Sequence, residues 1–271
     1  MNSNTFKFAS VGYICTELKT IIMKKNLIIL SALLGLSITA EAQDSSEETI
    51  EIKKSQILVE TVLTSEEQIE LSPNEVLMSL KAGNDRFVRS QLTARDHSEQ
   101  IRQSAEAQFP KAFILSCIDS RVPVEDVFDK GIGDIFVGRI AGNFINDDIL
   151  GSMEYAIKMA GAKLILVMGH ENCEAIHAAI DAVKSGYTKS GHIAKMLENI
   201  NPAIKRSTIT QGKRNSENRL LVHEVSENNV RLAMEKIVKE SSILRTMTAN
   251  GEIDIRGAVY DMDTGVVNFI N

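Results

Sequence analysis

The chain is 271 residues long, 44% hydrophobic and 24% charged, enough to bury one substantial core, with length alone allowing one or two domains. A formal net charge of −6, no tryptophan and no basic stripe exclude an electrostatic nucleic-acid partner.

In chain order, Met23-Lys24-Lys25-Asn26, the apolar run Leu27 to Ile38 and Ala40-Glu41-Ala42 have the layout of a signal peptide. Twelve apolar residues fall short of the roughly 20 that a spanning helix needs, so a retained anchor is the weaker alternative. Residues 1–22 show no clear apolar period, and Met23 is the expected start. Residues 1–42 are therefore read as a leader cut after Ala42, with the mature protein in the periplasm and no stable membrane anchor. Residues 43–71, with Ser45-Ser46-Glu47-Glu48 and Glu66-Glu67, read as a mobile acidic linker. The folded domain is expected at 72–271.

Ser72-Pro73-Asn74-Glu75 supplies an N-cap, a proline at N1 and a glutamate at N3 ahead of Val76, Leu77, Leu80, Phe87 and Val88 at helical spacing. This helix packs either on its own core or, as an arm, on a neighbouring subunit. The runs Lys111 to Ser116 and Ala162 to Met168 read as short buried strands. Between them lie a short helix over Val124 to Asp129, a strand over Asp134 to Ile140 and a helix over Asp147 to Ala160 that ends at Gly161. Helices follow over Cys173 to Val183, Ile193 to Ile200 and Leu220 to Val238, with Asn215 to Asn218 as a polar break. Ile253 to Tyr260, a turn at 261–265 and Val266 to Ile270 form a hairpin-like end. The alternation predicts an α/β fold: a mostly parallel central sheet flanked by helices, with an N-terminal helical arm and a C-terminal strand extension.

Chemistry concentrates where two predicted strands end. Cys117-Ile118-Asp119-Ser120-Arg121 follows the first, and His170-Glu171-Asn172-Cys173 closes the second. After leader removal only Cys117 and Cys173 remain, and cysteine count alone leaves a disulfide and a metal site open. An imidazole three residues from one sulfur favours zinc, since a disulfide has no use for it. Asp119, two residues from Cys117 in an extended segment, points to the same side and can reach the metal. Arg121 can take that carboxylate in a bidentate pair and hold it off. His177, four residues after Cys173, can share its helix face as a proton relay or ligand support, although a solvated or capped histidine is the plainer reading. His97, His192 and His223 receive no role.

Gly83-Asn84-Asp85-Arg86-Phe87, Gln108, Cys117 to Val122, Phe136 to Asn143, Ser152 to Ala156 and Gly169 to Cys173 keep an order and spacing that resembles the beta-class carbonic anhydrases, from about residue 72 to the C-terminus. The resemblance implies a lyase in which Cys117, His170 and Cys173 hold Zn2+ and a zinc-bound hydroxide converts carbon dioxide reversibly to bicarbonate and a proton. It implies catalytic roles for Asp119, Arg121 and Gln108: Asp119 accepts a hydrogen bond from the hydroxide, or binds zinc in a closed state, and Gln108 donates to a substrate oxygen. Phe136, Ala141 and Tyr155 are then expected to line the substrate pocket, and the chain to assemble with itself as a dimer or larger. Two alternatives remain at this point, a carbonyl sulfide or carbon disulfide hydrolase on the same scaffold and a non-enzymatic protein with structural zinc.

Overall fold

The computed structural model describes residues 62–185, 190–210 and 214–270. The leader, its cleavage site and most of the proposed linker lie outside these residues.

Five strands form one sheet, β1 (Ala112–Ser116), β2 (Ile135–Arg139), β3 (Leu164–His170), β4 (Asp254–Tyr260) and β5 (Val267–Ile270), in the order β2-β1-β3-β4-β5. The first four are parallel and β5 returns antiparallel to β4. Every residue of β1 and β3 is buried. That is why both read as unbroken apolar runs: helices cover each face, so no position alternates toward water. The β1–β3 register sets Phe113 beside Ile165 and Leu115 beside Val167, so the two strands run out side by side at the same edge of the sheet.

The helices are α1 (Ser65–Glu70), α2 (Pro73–Val88), α3 (His97–Ser104), α4 (Val124–Val127), α5 (Asp147–Glu154), α6 (Glu174–Ser185), α7 (Gly191–Glu198), α8 (Asn201–Arg206), α9 (Arg219–Glu240) and α10 (Ser242–Ala249). One face of the sheet packs Phe113, Leu115, Ile165 and Val167 against α5, α9 and α10; the other packs Ile114, Leu164, Leu166 and Met168 against α2 and α4. Each such fully buried aliphatic side chain contributes about 1.5–3 kcal/mol. A third cluster joins Cys117 and Cys173 to Ile176, Ile180, Ile200, Ile204 and Leu221. Among the described residues no helix is long and apolar enough to cross a membrane.

Several expectations are corrected. Ordered structure begins before residue 72: α1 lies within the expected linker, with Thr64 and Glu67 closing a capping box and Gln68 buried, its amide donating to Pro110 O and Ala160 O at 2.8 Å each. The acidic composition of this stretch concealed a helix held by a single glutamine. The helix after Ser72 buries Val76, Leu77 and Leu80 in the chain's own core. It approaches α4 so closely that a Cβ on Gly83 would sit 1.8 Å from Phe128 O. The helix expected to run straight to Ala160 changes at Tyr155 into a π-helical turn over Tyr155–Met159.

Asn84, buried on α2, ties distant segments together. Its amide donates to Val127 O (3.2 Å) and Gly265 O (2.9 Å), and its carbonyl accepts from the Val267 amide at 2.9 Å.

Candidate metal centre

Cys117 follows the last residue of β1, His170 is the last residue of β3, and Cys173 precedes α6. The parallel pairing of β1 and β3 therefore gathers all three, and their donor atoms lie within 4.8 Å of one another, every one of them buried. The two sulfurs are 4.0 Å apart and both cysteines are free. A disulfide would need about 2.05 Å.

His170 Nδ1 lies 2.8 Å from the Glu171 carbonyl and donates to it, since a carbonyl can only accept. Nε2 then carries its lone pair into the cluster, where it is buried without a hydrogen-bond partner. The thiols divide their acidity. Contact with Cys173, helped by the Gly142 amide 3.4 Å from its sulfur, pulls Cys117 below the ordinary thiol range against the effect of burial. The neighbouring Cys117 sulfur and then burial push Cys173 up. A cation between them would stabilise both thiolates, as ligation requires.

Asp119 lies beside this trio with its carboxylate bonded to Arg121. Arg121 Nε donates to Oδ1 at 3.0 Å and Nη2 to Oδ2 at 2.8 Å, and the Arg121 amide adds a further bond to Oδ1 at 3.0 Å. The guanidinium, ahead of every other influence, holds the carboxyl at about 2, so it is ionised at any ordinary pH. Its Oδ2 stands 3.8 Å from His170 Nε2. Arg121 also reaches the Asn172 carbonyl at 3.2 Å, linking both ligand-bearing loops.

Two supports were not given roles from the sequence. Arg139, at the end of β2, donates to the carbonyls of Cys117 (2.8 Å) and Asp119 (2.5 Å). Gly142 adopts φ +79, which only glycine takes without strain, and the Asn229 amide holds its carbonyl at 2.7 Å. The Arg-x-Ala-Gly-Asn segment carried a signal for both. His223 binds Glu171 through Nδ1 at 2.5 Å, and nothing in the sequence around it marks this.

The pocket expectations fare differently. Ala141 adjoins Gly142 at the centre. Phe136 and Tyr155 instead line a cleft of about 560 Å³ with Phe113, Ile149 and Ser152, and none of the three donors borders it. Gln108 is exposed in the segment before β1. Within one chain, then, Phe136 and Tyr155 face a cleft that the donors do not border. His177 has a buried Nε2 without a hydrogen-bond partner, and the donor cluster does not include it.

A family model described as carbonic anhydrase matches residues 112–267, which contain the three donors, Asp119 and Arg121. Carbonic anhydrase 2 of Mycobacterium tuberculosis is 34% identical over 195 residues, covering 72% of this chain and 91% of that protein. The chain belongs to the beta-class carbonic anhydrases. The carbonic anhydrase of Mycolicibacterium smegmatis is likewise 34% identical, over 197 residues, covering 72% of this chain and 92% of that protein. The solved β-carbonic anhydrase CafA of Aspergillus fumigatus shares the fold at a TM-score of 0.55 and 21% identity, covering 73% of this chain and 90% of that one. Beta-class carbonic anhydrases are zinc enzymes, and this chain's donors fit that ion: two sulfurs, one unpartnered imidazole nitrogen, and a carboxylate engaged elsewhere.

Proposed function

We propose that this protein catalyses the reversible hydration of carbon dioxide to bicarbonate and a proton, with zinc held by Cys117, His170 and Cys173. The observation that carries the catalytic reading is the Asp119–Arg121 pair: both carboxylate oxygens are taken by the guanidinium, so the chain offers three donors and leaves one position for water. A purely structural site would be closed by a fourth ligand. When bound, zinc supplies a Lewis acid that brings the pKa of water from about 15.7 toward about 7.

The chain's own residues do the rest. Asp119, ionised and 11% exposed at its side chain, accepts a hydrogen bond from the attacking water and so turns that oxygen's lone pair toward the substrate. Arg121 holds Asp119 in that place, and Arg139 fixes the backbone on both sides of it. Fixed acceptors need no rearrangement during reaction, which is the main source of electrostatic advantage in such sites.

Assembly with itself completes the reading. Tyr155 is 56% exposed and Met159 74%, beside the half-buried edge strand β2. On this reading Phe136, Tyr155 and the exposed Gln108 serve the metal centre of a second copy, which the cleft lined by Phe136 and Tyr155 away from their own chain's donors supports. The leader layout supports export to the periplasm.

The test is metal analysis of the purified protein with stopped-flow carbon dioxide hydration. About one zinc per chain with rapid hydration is expected. Bound zinc without hydration would leave a structural role, and faster turnover of carbonyl sulfide or carbon disulfide would assign the site to those substrates.

A further inference from the structure

We infer that His223 is a positioning residue for the metal centre, acting through Glu171 to fix the turn that carries His170 and Cys173; the inference rests on the reading that these residues hold zinc. Glu171 and Asn172 must redirect the chain between the end of β3 and the start of α6 so that donors three residues apart meet one ion. Asn172 does this with φ +50, a conformation that persists where surroundings enforce it.

The surroundings are specific. The Glu171 amide donates to Tyr260 O at 2.9 Å, and Arg121 holds the Asn172 carbonyl at 3.2 Å. The Glu171 carbonyl receives His170 Nδ1–H, which fixes the tautomer and the ring plane of that donor. The orientation of this carbonyl depends on the backbone torsions of Glu171, and its carboxylate is tied to His223 Nδ1 on α9 at 2.5 Å. The Glu171 side chain is 24% exposed, so this bond is partly shielded from water. On its other side His223 Nε2 stands 3.6 Å from Glu227, one turn along α9, and Glu227 stands 3.5 Å from Arg231. Glu227 is too distant to hydrogen-bond the ring, so the specific contact of His223 is the one that Nδ1–H makes to Glu171.

The experiment is zinc competition against a chromophoric chelator with the purified full chain, comparing wild type, His223→Ala, His223→Asn, Glu171→Gln and the double variant His223→Ala/Glu171→Gln. Loss of a group supporting a ligand costs about 10–100-fold in metal affinity, and His223→Ala should fall in that range. His223→Asn, whose amide nitrogen can occupy the place of Nδ1, should recover most of the loss. Glu171→Gln should weaken binding in the same direction, and the double variant should bind no worse than the weaker single one, because both remove one interaction. Visible absorption of the cobalt-substituted protein gives a second readout, in which the bands should shift for His223→Ala and return for His223→Asn.

A role confined to packing of α9 would lower the thermal stability of the metal-free protein and leave affinity and spectrum unchanged. That result, or additive losses in the double variant, overturns the inference. A wild type that takes up no zinc overturns the metal reading as well, whereas tight wild-type binding beside an unaffected His223→Ala overturns this inference alone.

Discussion

Arg121 grips both oxygens of Asp119, at 3.0 and 2.8 Å, while Asp119 remains 3.8 Å from the Nε2 of His170. One carboxylate therefore has two possible partners, a guanidinium and a metal, and in this structure the guanidinium holds it. Replacing Arg121 by alanine should leave zinc bound but free Asp119 to become a fourth ligand. Carbon dioxide hydration is expected to fall by at least about 100-fold, in line with the loss of other preorganised polar groups. Arg121→Lys should recover a part, since an ammonium matches the charge but not the fork. Near wild-type hydration by Arg121→Ala, measured by stopped flow across pH, would show that no such competition exists.

Cys117→Ser and Cys173→Ser should each abolish both zinc content and hydration. A hydroxyl stays protonated where a thiol becomes a thiolate, so the remaining two donors make a weak site. Elemental analysis after gel filtration measures the metal. Stoichiometric zinc in either variant would remove that cysteine from the ligand set.

Acid should act on Asp129 in a defined window. Burial pushes this carboxyl up, but bonds from Thr93, Arg86 and Arg95 outweigh it and hold it at about 2. An unfolded aspartate titrates near 3.9, so the folded form is stabilised fully above that value and loses the benefit as pH falls from about 4 toward 2. The contribution is about 1–3 kcal/mol. Asp129→Asn, which tolerates the φ of +49 found there, should lower the melting temperature at pH 7, with the gap to wild type closing below about pH 4. A gap independent of pH would assign the effect to something other than charge.

Gly83→Ala should destabilise the fold by about 2–4 kcal/mol, because the new methyl meets the Phe128 carbonyl at 1.8 Å and either α2 or α4 must move. Chemical denaturation checks this. An unchanged midpoint would mean that the two helices can separate without cost.

Much of this was readable from residues. Buried parallel strands leave unbroken apolar runs, and β1 and β3 announced themselves in that way, each with donors at its end. What escaped lacked any local pattern. α1 is fixed by Gln68 reaching Pro110 and Ala160, contacts 42 and 92 residues away, and its composition points to solvent. His223 sits 52 residues from Glu171 and meets it only because α9 crosses the end of β3. Phe136 and Tyr155 show the reverse case: the family pattern placed them in the substrate pocket, and the single chain puts them on a separate cleft.

Asn84 carries a consequence for the order of assembly. Besides Val127, its hydrogen bonds reach the turn before β5 and the first residue of β5, 181 and 183 positions further along the chain. Val127 can meet the Asn84 amide early, but the side-chain carbonyl has no partner among the described residues before Val267, so one polar atom of a helix made early waits until almost the whole polypeptide has emerged. Such closure over long sequence separation is slow, and until it happens the inward face of α2 stays accessible. Removing the last few residues should act on the opposite terminus, loosening a helix that they follow by most of the chain.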